Sequence, residues 1–219
     1  MRFTKTLLTT ALFGASVFSF HSTAWADTTE QQFQQGFEAT ERGDYQTAFK
    51  LWLPFAEEGD ANAQYNLGIM YENGQGVKQD DFEAVKWYRR AAEQGDVKSQ
   101  YNLGNMYANG RGVKQDDFEA VKWYRKAAEQ GLAKAQFNLG VMYDNGRGVR
   151  QDYTEAVKWF KKAAENGSVD GQLKLGLSYL FGLGIQKDRT LAKEWFGKAC
   201  DNRVQKGCEY YGKLNRGEL

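Results

Sequence analysis

The segment GVKQDDFEAVKWYR stands at residues 76–89 and occurs again, letter for letter, at residues 112–125. The two copies lie 36 residues apart, and the same spacing relates residues along much of the chain. It relates four tryptophans, Trp87, Trp123, Trp159 and Trp195. It also relates a series of glycines, Gly68, Gly104, Gly140, Gly176 and Gly212. A fixed period of this length is typical of architectures in which similar units stack on one another.

Each unit has the pattern of two helices. Residues 60–71 carry apolar side chains at the three- and four-residue spacing of one helix face. The following NGQGV, at residues 73–77, predicts the end of that helix, because glycine tolerates the positive φ of a tight loop. Asp80 or Asp81 then suits the N-cap of a second helix, which is expected to end at Gly95.

The periodicity predicts the organisation of the whole chain as an all-α solenoid of stacked antiparallel helix pairs. No unit can bury its apolar faces alone, so neighbouring units share them. The predicted segments are a signal peptide at 1–26, a degenerate repeat acting as a cap at 27–59, four full repeats at 60–95, 96–131, 132–167 and 168–203, and a capping helix at 204–219.

The first full unit follows the pattern A-x-x-x-L-G-x-x-Y-x-x-G-x-G-V-x-x-D…A-x-x-W-Y/F-x-x-A-A-x-x-G. Its residues are Ala63, Leu67, Gly68, Tyr71, Gly74, Gly76, Val77, Asp80, Ala84, Trp87, Tyr88, Ala91, Ala92 and Gly95. This pattern resembles the Sel1-like repeat, a relative of the tetratricopeptide repeat, over residues 29–215. The fourth unit departs from it, with Cys200 in place of an alanine and Arg203 in place of the final glycine. The resemblance implies a superhelical fold but by itself does not fix a function.

The first 26 residues have the pattern of a secretory signal peptide. Arg2 and Lys5 precede the apolar run LLTTALFGASVFSF, and AWA at 24–26 fits a cleavage site after Ala26. The alternative is a short N-terminal membrane anchor, although the apolar run is short for a membrane span. The predicted location is therefore the periplasm or the extracellular space, with no membrane insertion after cleavage.

The composition argues against several classes of function. The 29 basic and 28 acidic side chains nearly cancel, which disfavours a nucleic-acid-binding protein. The only histidine, His21, lies in the predicted signal peptide, so imidazole-dependent catalysis and histidine-ligated metals are not expected. The glycine loops lack the preceding strand and the Gly-Lys-Ser/Thr ending of a phosphate loop. The sequence predicts no catalytic residue, no metal site and no cofactor.

Cys200 and Cys208 are the only cysteines. One lies at the end of a predicted second helix and the other near the start of the closing helix. In an exported protein such a pair is expected to form a disulfide bond that clamps the terminal cap. A redox-active dithiol is the alternative, although the spacing is not C-x-x-C.

The resemblance also implies a binding surface, because the first helix of each unit lines the concave face of tetratricopeptide-like solenoids. Aligning on the shared Leu-Gly gives Asn62, Tyr65, Ile69, Asn73, Lys98, Tyr101, Asn105, Asn109, Lys134, Phe137, Val141 and Asn145 in three units. The fourth unit adds Asp170, Leu173, Leu177 and Phe181. Among these, Lys98, Lys134, Asn62 and Asn105 are expected to be exposed. The aromatic members form a ladder that belongs either to the groove or to the core between repeats.

Apolar anchors beside amide and ammonium groups suit the recognition of a peptide. The sequence therefore predicts an exported, non-enzymatic scaffold that binds a protein or peptide on its concave surface. Two alternatives stay open. One is a β-lactam-interacting cell-wall enzyme of the cysteine-rich Sel1 type, although S-x-x-K and K-T-G elements are missing from residues 27–219. The other is a secreted factor that binds a host receptor. Neither the partner nor the oligomeric state is specified.

Overall fold

The computed structural model describes residues 30–219, and within that range all regular structure is helical. The predicted signal peptide at 1–26 lies outside the described residues. The first helix, α1, covers residues 30–41. The remaining helices are α2 Tyr45–Glu58, α3 Ala61–Asn73, α4 Asp81–Glu93, α5 Val97–Asn109, α6 Asp117–Glu129, α7 Ala133–Asn145, α8 Tyr153–Glu165, α9 Val169–Phe181, α10 Arg189–Asp201 and α11 Gln205–Asn215.

Each helix packs on the helices that precede and follow it in the chain, from α2 to α11. The closest packing joins the two helices of one unit, α3 with α4, α5 with α6, α7 with α8 and α9 with α10. Helix α11, the last helix described, packs against α10. The prediction of an all-α solenoid of stacked helix pairs is confirmed.

The helix ends follow the capping rules read from the sequence. The second helices begin at aspartates whose carboxylates accept hydrogen bonds from the free N–H groups of the first turn: Asp80, Asp116, Asp152 and Asp188. The first helices end at glycines in the left-handed region: Gly74, Gly110, Gly146 and Gly182. Of the two N-cap candidates in the first full unit, Asp80 is the cap, and Asp81 is the first residue of α4.

A helical glycine in each unit faces an aromatic ring of the partner helix. In the second unit this pair is Gly104 on α5 and Tyr124 on α6. A Cβ added at Gly104 would lie 2.7 Å from the nearest ring atom of Tyr124, well inside the normal contact distance of two carbon atoms. The equivalent pairs are Gly68 with Tyr88, Gly140 with Phe160, and Gly176 with Phe196. The missing side chain therefore allows the two helices to approach closely.

A buried glutamine joins each of the first three full units to the one before it. Gln100, which is 4% exposed, donates its Nε2–H to the carbonyl oxygen of Ala92 in the preceding unit at 3.1 Å. Its Oε1 accepts a hydrogen bond from Gln130 Nε2 at 2.9 Å. The same double connection is made by Gln64 with Ala56 and Gln94, and by Gln136 with Ala128 and Asn166. Each amide adds a second hydrogen bond to a carbonyl oxygen that already accepts one from a backbone N–H at the end of its helix.

The glycine loop of one unit packs against the start of the second helix of the preceding unit. A Cβ at Gly112 would overlap the backbone carbonyl of Asp81. Beside this contact, the Arg111 guanidinium binds the Asp81 carboxylate at 2.7 Å and Glu72 at 2.7 Å. One unit later, Arg147 binds Asp117 in the same way at 2.6 Å. The loop thus fixes the register between neighbouring units.

Cys200 and Cys208 form a disulfide bond with a Cα–Cα distance of 4.5 Å, which confirms the predicted pairing. The bond connects the end of α10 to the first turn of α11. The two cysteines stand one period after Ala164 and Gln172, so they occupy the positions at which interior units place an alanine carbonyl and a buried glutamine. A covalent bond replaces the glutamine–carbonyl hydrogen bond at the last junction.

Replacing Gly104 with alanine should destabilise the protein, because the new methyl group forces the Tyr124 ring to move. We expect a loss of about 1–3 kcal/mol in the free energy of unfolding, as for other overpacked cores, measured by urea denaturation. The matched control is Gly212→Ala, the last glycine of the series, where the added Cβ meets only the flexible Arg216 guanidinium. That variant should be neutral or more stable, since alanine favours helix. Equal losses in both variants would contradict the close-approach role of Gly104.

Removal of the disulfide with Cys200→Ala/Cys208→Ala should lower the free energy of unfolding by about 2–3 kcal/mol, because the short closed loop no longer restricts the unfolded chain. The variant Cys200→Ala/Cys208→Gln should recover about 1 kcal/mol of the free energy of unfolding. Its new amide can donate to the carbonyl oxygen of residue 200, as the glutamines of interior units do to an alanine carbonyl. Chemical denaturation under non-reducing conditions compares the three proteins. Identical stability of the two variants would argue against the equivalence of the junctions.

Candidate functional site

The residues predicted to bind a partner lie on one side of the first helices α3, α5, α7 and α9. In each helix they are separated by three, four and four residues, which places them on one helical face. We call this surface the first-helix face. It consists of Asn62, Tyr65, Ile69, Asn73, Lys98, Tyr101, Asn105, Asn109, Lys134, Phe137, Val141, Asn145, Asp170, Leu173, Leu177 and Phe181.

The two ends of each helix expose their members of this face, whereas the middle is partly buried. Lys98 and Lys134 are exposed at the helix starts, as is Asn62. Asn105, expected from the sequence to be exposed, is instead partly buried, because its Oδ1 accepts a hydrogen bond from the Tyr124 hydroxyl at 2.7 Å.

The asparagines at the helix ends are exposed, but two of them also serve their own helix. Asn109 Nδ2 donates to the carbonyl oxygen of Asn105 at 2.8 Å, and Asn145 Nδ2 donates to that of Val141 at 3.0 Å. These bonds satisfy carbonyl groups in the last turn of the first helices. The side-chain oxygens of both residues are not used in these bonds.

The aromatic ladder contributes to both the core and the surface. Tyr101 packs its ring on the buried ring of Tyr124 with centroids 6.0 Å apart, and Phe137 packs on Phe160 at 5.8 Å. Each ladder ring is itself only partly buried. One side of the ring therefore belongs to the core of its unit, and the remainder lies at the surface.

A second column of polar groups, which the sequence reasoning missed, lies beside the ladder. It contains Asn66, Asn102 and Asn138, each partly buried and one period apart. Asn138 Nδ2 lies 3.4 Å from Asn105 Oδ1. The repeated spacing was the available signal, but asparagine in a helix is ordinarily taken as a solvent-facing residue. In this column Asn66 Nδ2 is buried and has no hydrogen-bond partner among the described residues.

The tyrosine hydroxyls beneath the face stay protonated. Burial, together with the Glu72 carboxylate that accepts its hydrogen bond at 2.6 Å, raises the pKa of Tyr88 far above its usual range. Burial raises the pKa of Tyr124 to about 12. Both hydroxyls are thus hydrogen-bond donors at neutral pH and hold their partners in place.

Positive charge accompanies the aromatic residues on this face. The Lys98 ammonium lies 5.6 Å from the ring centroid of Tyr65 in the preceding unit, within the range of a cation–π interaction. Lys174 Nζ lies 2.8 Å from Asp144 Oδ2 and 5.6 Å from the Phe160 ring centroid. Lysines of neighbouring units therefore extend over the aromatic rings.

At its C-terminal end the face deepens into a cleft of about 340 Å³. The cleft is formed by α7 and α9, the first helices of their units, and by α11, which follows the last full unit in the same role. Its lining combines apolar and charged side chains: Phe137, Asp170, Leu173, Lys174, Leu177, Lys206, Glu209, Tyr210 and Lys213. Four of these belong to α11, which the sequence reasoning treated only as a cap. Lys206 and Tyr210 nevertheless stand one period after Asp170 and Lys174.

The described residues form neither a metal-binding cluster nor a membrane-spanning helix. Residues 30–219 contain no group of three or more histidine, cysteine, aspartate or glutamate side chains arranged to hold a metal ion. Of the helices α1–α11, as far as they are described, none combines the length and the apolar character needed to cross a membrane.

The chain matches a family model described as the Sel1 repeat at residues 33–60, 61–96, 97–132, 133–168 and 169–203. Its fold is similar to a crystal structure from uropathogenic Escherichia coli, "c5321: a protective antigen … displaying an SLR fold", with a TM-score of 0.85 and 34% identity. That match covers 94% of this chain and 45% of the other. A Sel1 repeat protein from Oxalobacter formigenes gives a TM-score of 0.78 and 34% identity, covering 82% of this chain and 74% of the other.

A curated relative, an exopolysaccharide production negative regulator from Rhizobium leguminosarum bv. viciae, is 41% identical over 56 residues. This match covers 26% of the present chain and 21% of the relative. The chain therefore matches only about a fifth of the length of that regulator and less than half of the E. coli structure.

Truncation of one ladder residue should separate its two roles. We expect Phe137→Ala to cost about 1–2 kcal/mol in the free energy of unfolding, because the ring loses only part of its surface to the core. The buried Phe160, truncated to alanine as the matched control, should cost about 3–5 kcal/mol. Equal costs in urea denaturation would place Phe137 wholly in the core.

Proposed function

Because the chain belongs to the Sel1 repeat family, we propose that it is an exported, non-enzymatic scaffold that binds a protein or peptide along the first-helix face. Sel1 repeats typically mediate protein–protein interactions. The observation that carries the proposal is the repetition, in successive units, of a half-buried aromatic ring with amides and an exposed lysine beside it. In tetratricopeptide-like solenoids the corresponding face is concave.

The chemistry of this face suits an extended polypeptide. Half-exposed rings such as Tyr65 and Tyr101 offer apolar anchors that lose little conformational freedom on binding, since their other side is already packed. The neighbouring asparagine amides both donate and accept hydrogen bonds. They can therefore satisfy the backbone N–H and C=O groups of a bound chain, which would otherwise lose their hydration without compensation. Each added repeat lengthens this surface and uses the same packing between helices as the repeats before it.

Two further observations support a scaffold in an exported location. Both cysteines are joined in a disulfide bond, so neither offers a thiolate nucleophile. Disulfide bonds of this kind persist in oxidising compartments, in agreement with the signal-peptide pattern of residues 1–26. The proposed mature chain begins at Asp27 and acts in the periplasm or outside the cell.

The test is affinity capture from the cell envelope and from culture fluid with residues 27–219 as bait, followed by titration of the purified partner. We expect Lys98→Glu/Lys134→Glu to weaken binding about tenfold or more, because both charges on the face are reversed. The matched control, Lys78→Glu/Lys114→Glu, makes the same charge change one period apart in the exposed loops and should bind like the wild type.

Equal binding by all three proteins would move the site away from the first-helix face. Equal losses in both variants would indicate non-specific attraction by net charge. Mass spectrometry of the native protein in the two fractions reports its first residue. A chain that keeps its first 26 residues would overturn the proposed export and cleavage.

A further inference from the structure

We propose that the cleft between α7, α9 and α11 binds an acidic segment of the partner, with an apolar side chain against Leu173, Leu177 and Tyr210. The carboxylates of that segment would pair with Lys206 and Lys213. This inference rests on the proposed function, because the cleft is the C-terminal end of the first-helix face. It adds the chemical class of the partner.

The size of the cleft suits a side chain rather than a whole folded partner. Its volume of about 340 Å³ is at the lower end of the range of about 300–1,000 Å³ for ligand pockets. Leu173 and Leu177 form part of one wall and pack beneath it against the cluster that contains Leu180 and Phe196. The opposite helix contributes Tyr210, whose ring stacks on Phe196 with centroids 4.8 Å apart. The apolar walls are therefore rigidly supported.

Two of the three lysines that line the cleft can pair with the carboxylates of a ligand. Lys174 is already paired with Asp144 at 2.8 Å. Asp170 lies in the first turn of α9, where the helix N-terminus favours a negative side chain. Lys206 and Lys213, by contrast, take part in none of the ion pairs formed among the described residues. Seven residues apart on α11, they lie two turns from each other.

The two lysines also continue a row of positive charge along the first-helix face. Lys206 occupies the position that Lys134 and Lys98 hold two and three units earlier. Asp170 and Glu209 interrupt this positive surface and would repel the closely spaced phosphates of a nucleic acid. A polypeptide with separated carboxylates can place them on the lysines and avoid the two acids. The interrupted pattern therefore favours an acidic peptide over a continuous polyanion.

The experiment uses oxidised residues 27–219 and three pools of short fluorescein-labelled peptides. The first pool contains Asp and Glu around one central Phe, Tyr, Trp, Leu or Met. The second has Lys and Arg in place of the acids, and the third has a central Gly. We expect the first pool to give an anisotropy increase and to shift the amide NMR signals of α9 and α11. The other two should bind about tenfold more weakly or not at all.

The variant Lys206→Glu/Lys213→Glu should bind the first pool with an affinity lowered about tenfold or more. The control Lys78→Glu/Lys114→Glu should bind it with the affinity of the wild type. Equal binding of the acidic and basic pools, an absence of binding by the first pool, or displacement of it by oligothymidylate would overturn the proposal. So would concentration-dependent dimerisation in sedimentation that the Lys206→Glu/Lys213→Glu variant abolishes, because the occupant would then be a second copy of the chain.

The two proposals fail in different ways. If the captured partner depends on Lys98 and Lys134 but binds the Lys206→Glu/Lys213→Glu variant normally, the scaffold function stands and the acidic-segment assignment is wrong. If neither pair of substitutions affects the captured partner, the first-helix face is not the binding surface and both proposals are wrong.

Discussion

The contact between a helical glycine and an aromatic ring sets the spacing on which the rest of the molecule depends. Tyr124 packs so close to Gly104 that a single methyl group would displace it. The same ring supports Tyr101, which lies one helical turn before Gly104. One aromatic side chain thus fixes the distance between two helices and also holds up a residue of the surface. The packing of the core and the shape of the candidate site are consequences of the same contact.

The glycine–ring contact is the same in every full unit, whereas the surface residues beside it differ from unit to unit. The glycine and the ring beneath it recur in all four full units. The surface positions next to them do not: the column that begins at Ile69 continues with Asn105, Val141 and Leu177. The contact between glycine and ring does not require one particular side chain in this column, since Ile69, Asn105, Val141 and Leu177 all lie beside it, and Asn105 also accepts a hydrogen bond from the Tyr124 hydroxyl. The apolar residue Leu177, which lines the C-terminal cleft, is one result of that freedom.

The period, the helix caps and the disulfide bond could be predicted from the sequence because each depends on residues close together in the chain. The buried glutamines could not. Gln100 has a polar side chain whose burial is compensated by Ala92 in another unit and by Gln130, thirty residues away, and no local pattern reveals such partners. Asn105 was placed on the surface for the same reason, since its partner is a tyrosine of the next helix. The role of α11 in the cleft was hidden because its departure from the repeat pattern favoured its interpretation as a cap.

The last junction differs from the interior junctions in the kind of bond that joins its helices. At three interior junctions Gln64, Gln100 and Gln136 donate a hydrogen bond to a carbonyl oxygen of the previous unit. At the last junction Cys208 is instead joined covalently to Cys200. A thiol reductant therefore acts on the attachment of α11, and so on the wall of the cleft that α11 forms, whereas it leaves the bonds of the interior junctions unchanged.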